Sequence, residues 1–358
     1  MTVAANLLVG SSCGNVYILR CVVRNGSITL KTTIQAGETP IQLLVDVDNK
    51  CFYCLDNAAS SPEGRLLTLA PTELGTIEQS MSISTGGIRP HAMINIGKTI
   101  FINHQECYSI VKSPIAPKST RRRRTSTLAP VTEDPVAEGL DTLYHISKTM
   151  HDDSDTADPS DVIALIQQHI HSESHIDVTE LKSVVPTDEP ILKFVHWLKE
   201  DYIVGLTSRG LTSYRVSDAG LLHPLKSKEV PDVIDCEAGN DSLFVLCRGS
   251  LKQGTLSDGE FLLEREYAID APRATSLKVL GNRERAFIMT PHSVISINLE
   301  SSSQKVLDIR GTSMALSTDD DLLWVANKEA GTIAMYTVLG KELGQCRVER
   351  PASIVHMS

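Results

Sequence analysis

An apolar segment led by proline recurs along the chain at nearly constant intervals, and this recurrence limits the fold more than any other feature. "PILKFVHW" begins at 190, "PDVIDCEA" at 231, "PRATSLKV" at 272, "TSMALS" (without the proline) at 312 and "PASIVHMS" at 351, giving steps of 41, 41, 40 and 39 residues. "PIQLLVDV" at 40 and "PHAMINI" at 90 are earlier copies. A period near 40 residues is that of a four-stranded propeller blade. Proline suits the first residue of a strand, which need not donate to the ladder.

Each copy continues in the same way. A short, strongly apolar run follows, as in "CFYCLDN", "TIFINH", "YIVGLTS", "SLFVLCR", "RAFIMTP" and "LLWVANK", with "NLLVGSS" near the N-terminus. A third segment then alternates apolar and polar residues, usually behind a glycine: "GNVYILR", "GRLLTLA", "GLTSYRV", "GTIAMYTV". Continuous apolar runs suit strands buried on both faces, and alternation suits strands with one wetter face. Turns such as "RNGS" and "SDGE" favour a tight hairpin into a fourth, more polar strand. The N-terminal copy has its second, third and fourth strands but no first, and the segment at Pro351 supplies it. A last strand paired with the first blade closes the ring and removes two exposed sheet edges. The predicted fold is all-β: one seven-bladed β-propeller domain over residues 1–358, closed by the C-terminal strand pairing with the N-terminal blade. A β-sandwich with a separate domain leaves the period unexplained.

One interval breaks the pattern. Pro90 to Pro190 is 100 residues, which places an insertion at 114–187, after the third blade's strands. It opens on "SPIAPKSTRRRRTSTLAPVTEDP" and turns acidic at "HDDSDTADPSD". Its proline, serine and like-charge runs bury too little apolar surface to form a core, so a mobile, mostly disordered segment is expected. One or two short helices are expected inside it, packed on the propeller or binding a partner. Asp158 and Pro159 start one whose apolar stripe is Val162, Ile163, Leu165, Ile166 and Ile170; Val136, Leu140, Leu143 and Ile146 mark the other. Arg121, Arg122, Arg123 and Arg124 stand directly before Thr125 and Ser126. That arrangement suits a regulatory role: a nuclear-import signal, a phosphorylation site for a basophilic kinase, or a dock for an acidic partner surface.

Composition narrows the function. Of 358 residues 41% are hydrophobic, enough for a sizeable core, and the formal net charge is -10. That charge, with 4% aromatic residues as stacking platforms, argues against nucleic acid as a partner. No apolar run reaches the roughly 18 residues a membrane span needs, and no basic segment precedes the N-terminal apolar stretch, so neither membrane insertion nor a signal peptide is expected. The cysteines at 13, 21, 51, 54, 107, 236, 247 and 346 lie in apolar segments, which predicts reduced thiols and a cytoplasmic or nuclear location. Cys51 and Cys54 form a C-x-x-C, but in the strand-like "KCFYCLD" positions three apart face opposite sides, which argues against a metal or redox pair. His169, His171 and His175 crowd together in the insertion without the fixed geometry a metal requires. No cofactor and no metal is expected. The P-loop, G-x-G-x-x-G and H-E-x-x-H motifs are missing.

"LLWVANKEAGTIAMYTV" resembles the "YVAN...G.V.VY" repeat of YVTN and lactonase-type propellers, and "GIRPHAMIN" and "APRATSLKV" resemble the Gly-Pro-Arg-His segments that begin lactonase blades. The likeness extends over the whole propeller. A WD40-like ring would share the geometry, although the Trp-Asp and Gly-His dipeptides of WD40 repeats are absent. The resemblance implies lactone hydrolysis or formation by His, Arg and Glu side chains around the central channel. His91 follows Pro90 and Arg273 follows Pro272, but Ala274 stands where the pattern has histidine. Loss of one member of an acid/base set typically costs about 100-fold or more.

The connections into the first strands gather around the channel mouth. Blades six, seven and one contribute Arg273, Arg310 and Arg350 there, and blades four and five contribute Glu189 and Glu229. The predicted mouth is positive on one arc and negative on another, suited to an extended partner segment of matching charge. The sequence therefore predicts a non-catalytic scaffold or adaptor that binds other proteins as a subunit of a larger intracellular complex. The alternative is a lactonase-like hydrolase with its site at the channel mouth around His91 and Arg273.

Overall fold

The computed structural model describes residues 4–46, 50–58, 62–72, 76–112, 180–187, 189–197, 202–217, 221–239, 241–280, 284–317 and 322–357. They form seven antiparallel sheets of four strands each, arranged as the blades of a propeller. The inner strands of blades one to seven are Pro351–Met357, Pro40–Asp46, Ala92–Ile96, Ile191–Trp197, Val233–Ala238, Ser276–Val279 and Ser313–Leu316. Blade one is the composite expected from the unpaired terminal strand. Pro351–Met357 pairs antiparallel with Ala4–Ser11, from Asn6 opposite Met357 to Ser11 opposite Pro351. The Ser11 hydroxyl and the Ser12 amide then hold the carbonyls of Glu349 and Arg350, at 2.6 and 3.1 Å.

The continuous apolar runs are the second strands, and they are buried on both faces because each blade is covered by a neighbour on either side. All six residues of Cys51–Asp56 are buried. Successive side chains enter different blade interfaces: Phe52 and Cys54 pack toward blade one, whereas Cys51, Tyr53 and Leu55 pack toward blade three. The expected opposition of Cys51 and Cys54 is therefore present. Burial pushes the Cys51 thiol up to about 11, beyond thiolate chemistry at neutral pH. Seven apolar clusters result, one between each pair of adjacent blades. Trp197 and Trp324 are fully buried in two of them.

Blade three corrects one boundary. Its outer strand, Glu180–Pro186, pairs with Cys107–Lys112 and so belongs to the propeller. The sequence reading carried the insertion to 187; the strand was missed because "ELKSVVP" has the polar, interrupted composition of an outer strand and no lead proline. The interval 113–179, which contains both expected helices, Arg121, Arg122, Arg123, Arg124, Thr125, Ser126, His169, His171 and His175, lies outside the described residues. Among the described residues no helix is long and apolar enough to cross a membrane.

Candidate functional site: the entry face and the channel

The connections into the inner strands share one face of the ring with the turns between second and third strands. Glu189, leading into blade four, accepts Arg209 of that blade's turn at 2.7 Å. The backbone of this face is pinned in several places by the last residue of a second strand. Ser11 does this in blade one, as above. In blade two the fully buried Asp56 accepts the amides of Glu38 and Thr39 at 2.9 and 2.6 Å and the Arg65 guanidinium at 2.7 Å. In blade seven Asn327 Nδ2 donates to the Arg310 carbonyl at 3.3 Å. Arg310 and Arg350 thus have held carbonyls and exposed guanidiniums, and Arg273 and Glu229 are also exposed. Glu189 differs from its expected place in a free negative arc, since Arg209 neutralises it.

A feature that sequence reasoning missed runs around the channel. In blades two, four and five the inner strand carries a bulge, between Pro40 and Gln42, Ile191 and Lys193, and Val233 and Asp235. In each case the residue after the bulge reaches across to the inner strand of the next blade. Gln42 brackets Met93, its Nε2 donating to the carbonyl at 2.9 Å and its Oε1 accepting the amide at 2.6 Å. Lys193 Nζ donates to Asp235 Oδ1 and to the Cys236 carbonyl, both at 2.7 Å. Asp235 Oδ2 accepts the Leu277 amide at 2.7 Å. His91 does the same from blade three: its Nε2 donates to the Ile191 carbonyl at 2.6 Å. Four successive blades are thereby latched to their neighbours by side chains that fill the free edge of an inner strand, where a buried amide or carbonyl would otherwise lack a partner.

The latch of blades four to six is ionic. Lys193 contacts both Asp235 and Glu237, and Lys278 donates to both Glu237 oxygens at 3.0 and 3.2 Å. Burial alone would raise the Glu237 carboxyl, but the ammonium groups of Lys278 and Lys193 outweigh it and hold that carboxyl below its ordinary range. Burial likewise works against the Lys193 charge, and the carboxylates of Glu237 and Asp235 reverse the balance, raising its affinity for the proton. Toward the exit ends of the inner strands a cavity of about 300 Å³ is lined by Glu237, Lys278, Met314, Leu316, Ile354 and His356.

His91 and Arg273, the residues that match the lactonase pattern, stand at the entries of blades three and six. No hydrogen bond or ion pair joins them, and His91 is engaged with Ile191. A second histidine, His104, has the buried serine Ser109 at 2.8 Å from its Nε2. The Ser109 hydroxyl donates to the Thr85 carbonyl, so Nε2 carries the proton, and the serine oxygen is sealed inside the blade. This pair is not a nucleophile with its base. Nδ1 of His104 and both amide atoms of the neighbouring Asn103 are buried without a hydrogen-bond partner. Among the described residues no three metal-ligating side chains converge.

His104 gives the protein an acid-sensitive point. Burial, aided by the nearby His91, lowers its pKa to about 4 from 6.5. The unfolded chain then binds the proton more readily than the folded one, so the contribution of neutral His104 is complete above about pH 6.5 and is lost as pH falls toward 4. The loss is expected to be on the order of 3 kcal/mol. Urea unfolding between pH 7 and pH 4.5 measures it: His104→Gln should flatten the dependence, and an unchanged slope would assign the acid sensitivity elsewhere.

No protein-family model and no curated protein matches the sequence. Solved structures match over the whole ring. A Lactobacillus plantarum protein superposes with a TM-score of 0.68 at 11% identity, covering 99% of this chain and 100% of its own. The Pseudomonas aeruginosa periplasmic gluconolactonase does so with a TM-score of 0.67 at 11% identity, covering 99% of each chain. The WD40 domain of Neurospora crassa Pan2 gives 0.54 at 11% identity over 90% of this chain and 83% of that one. At such identities the likeness establishes the architecture: a seven-bladed β-propeller whose structural neighbours include lactonase and WD40 rings.

Proposed function

We propose that the chain is a non-catalytic, protein-binding propeller, a rigid platform within an intracellular assembly that receives partners on its entry face. The observation that carries this reading is the use made of the polar side chains at the blade entries. A general acid or base must reach the reacting atoms, whereas Gln42, His91, Lys193 and Asp235 are committed to the adjoining blade. Arg273, Arg310 and Arg350, exposed across blades six, seven and one, match an acidic partner segment, and Glu229 offers opposite charge in blade five's approach. Fixed display of cations on a rigid frame favours recognition over chemistry.

The test is co-purification from cell extract with the full chain and with Arg273→Glu/Arg310→Glu. Stoichiometric partners captured by the first and lost by the second support the reading; identical capture removes the basic arc from it. The lactonase-like alternative, favoured by the gluconolactonase architecture, requires His91 to leave the Ile191 carbonyl. Gluconolactone and aromatic lactones are expected to hydrolyse at the uncatalysed rate. Turnover that falls about 100-fold or more in His91→Ala would transfer the function to that alternative.

A further inference from the structure

The latches run from blade two to blade six, and the junctions of blades six, seven and one carry none. Asp235 stands directly before Cys236, whose carbonyl faces the channel and is held by Lys193. Ser276 stands in the same way before Leu277 in blade six, Ser313 before Met314 in blade seven, and Ser353, third in its strand after a bulge, matches Gln42. Among the described residues none of these three hydroxyls reaches the next blade, and those of Ser276 and Ser353 are buried without a partner. The inner edge of blade seven is therefore open. The Ser317 amide donates to the Leu322 carbonyl at 3.0 Å, so the alternation of an antiparallel ladder turns the amides and carbonyls of Met314 and Leu316 away from their sheet and into the channel. Among the described residues no hydrogen bond meets them there.

This open edge borders the cavity of about 300 Å³, a volume at the lower end of those that hold small ligands. Met314, Leu316, Ile354 and Val355 make its walls apolar, and Glu237 and Lys278 charge one side. Lys193 spends its three ammonium protons on Asp235, the Cys236 carbonyl and Glu237. Lys278 spends two on Glu237 and keeps one, on a side chain about one-third exposed (32%). We propose that the exit end of the channel is a binding site for the carboxyl-terminal end of an extended apolar peptide. Its backbone adds to the edge at Met314 and Leu316, two residues apart as strand addition requires, and its carboxylate accepts the remaining proton of Lys278. Its side chains lie on Leu316, Ile354 and Val355. Four blades wall the cavity, and a chain end enters such an enclosure without having to turn back. The peptide thus satisfies at blade seven what the latches satisfy in blades three to six, at the opposite end of the channel from the arginines of the entry face and independently of them.

Calorimetric titration of the full chain with acetyl-Val-Leu tests this, beside the same peptide as its carboxyl-terminal amide and with the leucine nitrogen methylated. The free acid is expected to bind at millimolar concentration or below. The amide should bind about 10-fold or more weakly, because hydrogen bonds to charged groups are the strong ones, and the methylated peptide severalfold more weakly for want of its backbone donor. Hydrogen exchange locates the contact: saturating acid should slow the amides of Met314 and Leu316 and leave that of Met93, already bracketed by Gln42, unchanged. These comparisons use the unaltered protein, so none of them depends on how a variant folds. Lys278→Gln, where it folds, should bind acid and amide alike. Absence of binding by the acid, equal affinity of the parent chain for acid and amide, or unchanged exchange at Met314 and Leu316 would each overturn the proposal.

Discussion

Removal of residues 351–358 is expected to yield a chain without a cooperative unfolding transition. The lost segment supplies the inner strand of blade one, whose Ile354 is buried with Leu7, Val9 and Trp324 at the junction of blades one and seven. Ile354 alone contributes about 1.5–3 kcal/mol. Its removal also turns Ala4–Ser11 into an exposed edge strand rich in apolar residues and leaves the ring open. Against a total stability of roughly 5–15 kcal/mol, these losses together suffice to unfold the protein. Circular dichroism melting and recovery in the soluble fraction check it, and addition of a peptide with the sequence of 351–358 is expected to restore a transition. A truncated chain that melts like the parent would mean that the closing strand is dispensable.

Lys193→Met is the second large effect. Two carboxylates, Asp235 and Glu237, lose a shared ammonium, and the Cys236 carbonyl loses a donor. Stranding a buried charge costs about 3–5 kcal/mol. With Lys193 about one-third exposed (31%), screening reduces this to about 2–4 kcal/mol. Urea unfolding at neutral pH measures the loss, and repeating it at lower pH identifies the cause. Removal of one cation favours protonation of Glu237, so the deficit should narrow as pH falls into the carboxylate range. A deficit independent of pH would assign the effect to packing of the lysine stem instead of charge.

The latches explain why a ring with short inner strands is held at its axis. Ser276–Val279 and Ser313–Leu316 are only four residues long. Blades in a ring touch mainly through side chains, and a channel leaves one edge of each inner strand without sheet partners. Side chains that bridge to that edge satisfy it and fix the angle between blades. The polar side chains at the entries of blades two to five are thus taken up by the frame, whereas Arg273, Arg310 and Arg350 at those of blades six, seven and one are exposed.

The blade count, the 40-residue period and closure by Pro351–Met357 were legible in the sequence, because alternation and continuous apolar runs report directly on one-sided and two-sided burial. Cys51 and Cys54 were correctly separated by strand geometry alone. The latches were not legible. Gln42 lies two residues after its lead proline, Lys193 three and Asp235 four, so no constant offset marks them. The offset varies because the strands begin at Pro40, Ile191 and Val233, at different distances from the lead proline; within the strand all three are the third residue, just past a one-residue bulge, and a bulge is decided by pairing with the neighbouring strand rather than by local sequence. The outer strand of blade three was hidden for a related reason: its identity comes from its partner Cys107–Lys112, which lies far from it along the chain. Local composition thus determined the repeating unit and the number of units, whereas the ring itself, by setting which strand edges face one another, decided what the polar residues at the axis do.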